Sequence, residues 1–436
     1  MDKFIINGGK PLYGQIDVTS AKNAYLPILA GCILSDKPIL LHKCPKYNDI
    51  INMLKILESL GAKITPKTSD GEIHNGCDIL VDCSQLSVHT IPHELASVLR
   101  SSIFTLGSIL GRFKKARVAY PGGCEIGARP IDLHIKGLQN LNVEISDKHG
   151  ILSCDGKNMK GGVVNLDFPS VGATENIMLA AVLTKGTTRI FNSAKEPEIV
   201  DLANFLNSLG ANISGAGTGD IVIKGVSELS GGEYTPIPDR IIAGTYLVAG
   251  LICGGEITIN GFIPEHNQVL LEKLNDENAK IEIKGDSLHL NSKGRHNCIS
   301  KIETSPYPGF PTDLQAQVLA LQTIGKGTSI VVENLFETRF KHVPELVKMG
   351  AHITVKDRTA IVSGVDKLYG ASVNATDLRG GVALVLAGLV AEGYTTVNNV
   401  YHIDRGYYEL EKDLGKLGAD IKRIKNDWQK NKINIT

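Results

Sequence analysis

A thiol, a guanidinium and a carboxylate fall within nine residues of one another in the stretch Pro121-Gly-Gly-Cys-Glu-Ile-Gly-Ala-Arg-Pro-Ile-Asp-Leu-His134. Gly122, Gly123 and Gly127 surround Cys124, so the backbone is free to take positive φ and lie against a ligand with no Cβ in the way. Arg129 offers a planar fork of donors to a phosphate or carboxylate, Pro130 stiffens the chain behind it, and Asp132 adds an acid. A nucleophile or proton donor, an anion binder and a carboxylate thus share one loop. The same residues also describe a small filler thiol in a Gly-rich segment, because reactivity needs a lowered thiol pKa and exposure that residue types do not supply.

Other candidates stand at the starts of apolar runs. Ser20-Ala-Lys22-Asn23 precedes Ala24 to Leu34, which makes Ser20 a helix cap and puts Lys22 where the helix amino terminus favours an anion, or leaves it a solvated first-turn lysine. Arg100 sits among Leu99, Ile103, Phe104 and Leu106, a setting that demands either a salt bridge or a cleft. Ser170-Val171-Gly172, just before an apolar run, is taken alone a capping sequence, whose backbone and hydroxyl donors could also serve a diphosphate. Asp313 follows Pro311-Thr312 and opens a helix, as Asp377 does before Arg379 in the next repeat. Arg339 and Arg405, the latter in Tyr401-His-Ile-Asp-Arg-Gly406, complete the basic set.

These side chains need a scaffold, and 436 residues with 42% hydrophobic and 21% charged content predict two large domains rather than one core. Lysine plus arginine and aspartate plus glutamate are equal at 46 each, so net charge gives no reason to expect a nucleic-acid or membrane partner. Any anion site must be a local cluster. The first residues carry no apolar stretch of signal-peptide length and the longest apolar runs fall short of a bilayer span, which points to a cytoplasmic protein. Eight cysteines without C-x-x-C pairs suggest reduced thiols, with no metal site and no cofactor expected.

The organising pattern is a repeat. Segments such as Ser59-Leu-Gly-Ala-Lys-Ile64, Ser208-Leu-Gly-Ala-Asn-Ile213 and Leu417-Gly-Ala-Asp-Ile421 align on a Gly or Asn at 61, 142, 210, 278, 350 and 418, with gaps of 81, 68, 68, 72 and 68. Upstream of each lies an amphipathic helix, which the small residue ends in the left-handed conformation before a strand follows. A second, more apolar helix leads through a glycine turn to a strand in 174–190, 240–259, 313–331 and 377–397. Six such units divide into two sets of three, with a seam at the Gly and Pro cluster of 231–238.

The loop of Cys124, together with Lys22-Asn23, Asp313 and the 401–406 run, closely resembles the enolpyruvyl transferases that act on UDP-N-acetylglucosamine. The resemblance covers essentially the whole chain. It implies two inside-out α/β domains, each of three repeated βαβ-type folding units, spanning 22–237 and 1–21 plus 238–436, with the active site in the cleft between them. It implies phosphoenolpyruvate and UDP-N-acetylglucosamine as substrates, Cys124 as proton donor and as the thiol alkylated by fosfomycin, Asp313 as base, and Lys22 and Arg405 as catalytic cations. Substrate contacts would come from Lys22, Asn23, Arg100, Arg129, Pro130, Ile131, Asp132, Leu133, Ser170, Val171, Gly172, Asp313, Leu335, Arg339, Asp377, Arg379 and Arg405. Phe168-Pro169 departs from members that carry a lysine there. Two rivals stay open: a transferase acting on shikimate 3-phosphate, against which Cys124 and Lys22-Asn23 argue, and a non-catalytic nucleotide-sugar binder. No P-loop or well-placed dinucleotide motif occurs.

Overall fold

A computed structural model describes residues 2–122 and 131–425. Six helices form its interior, and their sequences explain why. In the helix Arg240–Cys253 every residue from Ile241 to Ile252 is buried, and in Leu378–Val390 every residue from Leu378 to Leu389 is buried. A helix that is apolar on all sides must be surrounded by protein. Lys22–Cys32, Phe104–Phe113 and Val171–Ala181 pack together in one set, and Arg240–Cys253, Thr312–Gln322 and Leu378–Val390 in another.

The strands behave oppositely. Thr187–Phe191, Thr328–Val332 and Thr359–Ser363 alternate buried and more exposed residues, so each sheet presents one face to the helices and one to solvent. Helices inside and sheets outward is the inside-out arrangement expected above. Six sheets are present among the described residues, five of four strands and one of three. Each four-stranded sheet repeats one plan: a parallel pair, as Val163–Asn165 with Thr187–Phe191, followed by two antiparallel strands, here Asp220–Lys224 and Asn212–Ser214.

Three of these sheets borrow a strand from far along the chain. Lys3–Asn7 lies between Tyr394–Asn398 and Asp420–Ile424, antiparallel to both. Leu12–Asp17 runs parallel to Gly255–Asn260, and Gly232–Tyr234 parallel to Ile39–Cys44.

The helix-ending residues take positive φ at Gly61, Asn142, Gly210, Gly350 and Gly418, as the repeat predicts. Asn278 does not. Its N–H is taken by Asp276 Oδ1 at 2.8 Å, and the helix Gln268–Lys273 has already stopped. The stretch around Arg100 is not one continuous helix: His93–Val98 ends at an extended Leu99, Arg100–Ile103 is a 3-10 turn, and Phe104–Phe113 follows.

Candidate active site

Asp313 lies in the first turn of the helix Thr312–Gln322 with its carboxylate held between two arginines. Arg339 Nη2 donates to Oδ1 at 2.7 Å and Arg379 Nη2 to Oδ2 at 2.9 Å. The Arg339 and Arg379 side chains are only 3% and 4% exposed, whereas Asp313 keeps 28%, so the acid is the member of the trio that still faces solvent. Burial alone would push its carboxyl up; the charges of Arg379 and Arg339 outweigh that and hold it well below the usual carboxylate range.

A second carboxylate binds two further candidates. Asp49, 3% exposed in the first turn of the helix Asn48–Ser59, accepts from Lys22 Nζ at 3.2 Å and from Arg405 Nε at 3.1 Å. Burial would raise its pKa, but Lys22 and Arg405 together keep it below the ordinary value. Burial draws the Lys22 ammonium down; Asp49 opposes that, while Arg379 and Arg405 add to it. Both directions hold at once because Asp49 faces two cations, whereas the pull of Asp49 on Lys22 is partly cancelled by the arginines.

Lys22 is placed by its own backbone. Its N–H donates to Asp239 Oδ2 at 3.1 Å, and the other oxygen of Asp239 accepts from Ile241 and Ile242 N–H at 2.8 and 3.1 Å. One carboxylate therefore ties the starts of the helices Lys22–Cys32 and Arg240–Cys253. Ser20, expected as the cap of the first, makes no cap hydrogen bond; Ala21 occupies the cap position and Asp239 serves in its place. Asp377 acts similarly for Leu378–Val390, accepting from Arg379 and Gly380 N–H at 3.0 Å each. With Asp239 and Asp377 turned to helix ends, Lys22, Arg339, Arg379 and Arg405 converge on Asp49 and Asp313, a cluster whose cations outnumber its remaining carboxylates.

A second group of expected residues gathers at neighbouring helix starts. Ser170 Oγ accepts from Ala173 N–H at 3.3 Å and caps Val171–Ala181. A Cβ on Gly172 would meet His134 Cε1 at 3.2 Å, which sets the 170–172 turn against the helix Asp132–Gln139. Ile131 is buried, Leu133 half-buried and Asp132 exposed at that helix start. Asn23 and Arg100 are half-buried. The Leu335 N–H, where the resemblance implies a sugar contact through the backbone, is given to Glu333 Oε1 at 2.9 Å. Cys124, Arg129 and Pro130 lie outside the described residues. Among the described residues no group of three His, Cys, Asp or Glu is arranged to hold a metal ion, and no helix is long and apolar enough to cross a membrane.

Sequence reasoning missed Asp49 and Asp239. Asp239 was findable, since Pro238-Asp239-Arg240 before an apolar run is a cap signal. A first-turn acid such as Asp49 is too common to single out.

The pattern of the EPSP synthase family, 3-phosphoshikimate 1-carboxyvinyltransferases, matches residues 6–414. The chain belongs to this family of enolpyruvyl transferases. Within the family it is 51% identical over 424 residues to UDP-N-acetylglucosamine 1-carboxyvinyltransferase 2 of Caldanaerobacter subterraneus subsp. tengcongensis, covering 97% of this chain and 100% of that protein. The UDP-N-acetylglucosamine 1-carboxyvinyltransferase of Xylella fastidiosa (strain M12) is 45% identical over 426 residues, covering 97% and 100%. In fold, the enolpyruvyl transferase resembles the crystal structure of the enolpyruvyl transferase NikO from Streptomyces tendae, with a TM-score of 0.84 at 23% identity over 97% of this chain and 98% of that one. EPSP synthase from Acinetobacter baumannii gives 0.71 at 16%, over 98% and 100%.

Proposed function

We propose that this chain transfers the enolpyruvyl group of phosphoenolpyruvate to the 3-hydroxyl of UDP-N-acetylglucosamine, releasing phosphate, the first committed step of peptidoglycan synthesis. The observation that carries the reading is the convergence of Lys22, Arg405, Arg379 and Arg339 on two carboxylates from opposite ends of the chain. Identities of 45–51% to proteins of that name support the same acceptor. The reading divides the chain into 22–237 and 1–21 plus 238–436; the pairing of Lys3–Asn7 and Leu12–Asp17 with later strands, and of Gly232–Tyr234 with Ile39–Cys44, supports that division. Asp49 with Arg405, and Lys22 with Asp239, then bridge the two halves. Seven free cysteines among the described residues suit a reducing compartment such as the cytoplasm.

Phosphoenolpyruvate is a dense anion, and Lys22, Arg405 and the loop residue Arg129 would neutralise its charge. Asp49 holds Lys22 and Arg405 and would share them with the bound anion. The methylene carbon accepts a proton from Cys124 and the sugar hydroxyl attacks the adjacent carbon as its own proton passes to Asp313. The resulting tetrahedral adduct loses a proton from its methyl group and expels phosphate, leaving the enolpyruvyl ether. Asp313, held low by two arginines, is a weak base in this arrangement; the incoming anionic charge would relieve that hold and raise its basicity.

The test is phosphate release by purified protein from phosphoenolpyruvate with UDP-N-acetylglucosamine, or with shikimate 3-phosphate. Release with the nucleotide sugar alone supports the reading. Release only with shikimate 3-phosphate, or with neither, overturns it.

A further inference from the structure

We propose that Tyr407 is a positioning residue for this transfer, its buried hydroxyl closing a ring of hydrogen bonds that fixes Arg379 and, through it, the Asp313 carboxylate. The inference rests on the reading of Asp313 as the group at the attacking hydroxyl. Tyr407 is 1% exposed. Its oxygen lies 3.3 Å from Arg379 Nη1 and 2.7 Å from Thr245 Oγ1. Gln317 Nε2 lies 3.4 Å from the same Thr245 oxygen and 2.9 Å from the backbone oxygen of Asp313. Arg379 Nη2 returns to Asp313 Oδ2 at 2.9 Å and completes the circuit.

Donor and acceptor capacity leaves one consistent placement of the hydrogens around this ring. Thr245 Oγ1 is 2.8 Å from the Ile241 carbonyl oxygen and donates its only hydrogen there. It must therefore accept from Gln317 and from Tyr407. The Tyr407 O–H points at Thr245, and its lone pairs are left to accept from Arg379, whose guanidinium has only donors to offer. If Thr245 donated to Tyr407 instead, the Ile241 oxygen would lose the threonine hydrogen and the Tyr407 hydrogen would be turned toward the Arg379 donors. The ring thus joins the helices Arg240–Cys253, Thr312–Gln322 and Leu378–Val390 to the turn Val400–Arg405, on which Tyr407 is hooked by its N–H to the Ile403 oxygen at 3.0 Å. Its aromatic ring also lies near the Arg379 guanidinium, 5.8 Å from centroid to carbon.

A phenylalanine would fill the same space, so the hydroxyl adds only the ring. Without it, one buried N–H of Arg379 loses its acceptor and the guanidinium is free to turn away from Asp313. Since orientation rather than occupancy is at stake, turnover should suffer more than binding.

The experiment compares Tyr407→Phe, Thr245→Val and Thr245→Ser with the unaltered protein in phosphate release, with calorimetric binding of UDP-N-acetylglucosamine as control. Tyr407→Phe and Thr245→Val should each lower kcat by about ten- to a hundred-fold, the range for a buried hydrogen bond to a charged group, while nucleotide-sugar affinity stays near that of the unaltered protein. Thr245→Ser keeps the oxygen and should keep the rate. A packing role predicts the reverse for position 245, because serine deletes a methyl group and valine retains the volume. The proposal is overturned if Tyr407→Phe turns over like the parent, or if serine at 245 is as harmful as valine. An inactive parent would instead overturn the functional reading; crystal structures of parent and Tyr407→Phe then decide the ring, supported if Arg379 leaves Asp313 and overturned if it stays.

Discussion

Asp313→Asn is the substitution whose consequences the structure specifies most fully. Asparagine keeps one carbonyl oxygen and turns the other into a donor that faces an arginine donor, so one of the two contacts at 2.7 and 2.9 Å becomes repulsive. Arg339 and Arg379 are 3% and 4% exposed and cannot turn to water for relief. Removing one partner of a buried ion pair costs about 3–5 kcal/mol. The remaining oxygen retains one bond to a charged donor and Asp313 is partly exposed, which brings the expected loss to about 2–3 kcal/mol.

The loss depends on pH with a definite sign. The folded carboxyl is held below its usual 3.8, so its contribution is present above that value and disappears as pH falls beneath it; the gap between parent and variant in urea unfolding should shrink below pH 4. Turnover should fall by about a hundred- to ten-thousand-fold, since an amide holds a hydroxyl but does not take its proton, with UDP-N-acetylglucosamine binding retained by calorimetry. A variant with turnover within ten-fold of the parent would remove Asp313 as proton acceptor. Unchanged unfolding at neutral pH would show that the two-arginine clamp contributes nothing.

Asp49→Asn should shift the alkaline limb of the pH profile for phosphoenolpyruvate downward, because burial, Arg379 and Arg405 then act on Lys22 without the opposing carboxylate; an unmoved limb counts against this, and steady-state kinetics across pH is the measurement. Cys124 should be the thiol labelled fast by fosfomycin. Burial pushes Cys44, Cys83, Cys154 and Cys253 up to about 12, and raises Cys32 and Cys298 as well, so peptide mapping that finds adducts spread over these would refute it. Glu175→Gln should stabilise the protein at pH 8 and not below pH 4.5. Both Glu175 oxygens are buried with no hydrogen-bond partner among the described residues and its carboxyl is pushed well up by burial, then by Glu198 and Glu196, so the stability that it withholds grows as pH rises; equal urea midpoints at pH 8 would contradict this.

Much of this was legible in the residues. Apolar runs without a polar face, such as 240–253, announce helices that must be internal, and five of six repeat glycines and asparagines end helices as their chemistry requires. Asp313, Arg379, Arg339, Lys22 and Arg405 were all singled out and do converge. What local pattern does not carry is partnership over distance. Nothing in Asp49 distinguishes it from any first-turn acid until Lys22 and Arg405 are seen on either side, and Tyr407 shows its use only when Thr245 and Gln317 arrive beside it. Arg100 illustrates the limit differently: its apolar neighbours say only that the charge needs a partner or a cleft, and not that Leu99 turns extended between His93–Val98 and Arg100–Ile103.

The strand Lys3–Asn7 is synthesised long before its two neighbours, which span 394–398 and 420–424. At 5–20 residues per second a ribosome needs roughly 20 to 80 s to bring them out. Throughout that interval an apolar strand with both edges open has to be kept from pairing with its counterpart on another nascent chain, whereas helices such as Phe104–Phe113 and Val171–Ala181 meet partners soon after they appear. The hazard of misassembly is therefore concentrated in the first twenty residues during translation. Chaperone dependence in cells should respond to changes there more than to equal changes in the helical interior.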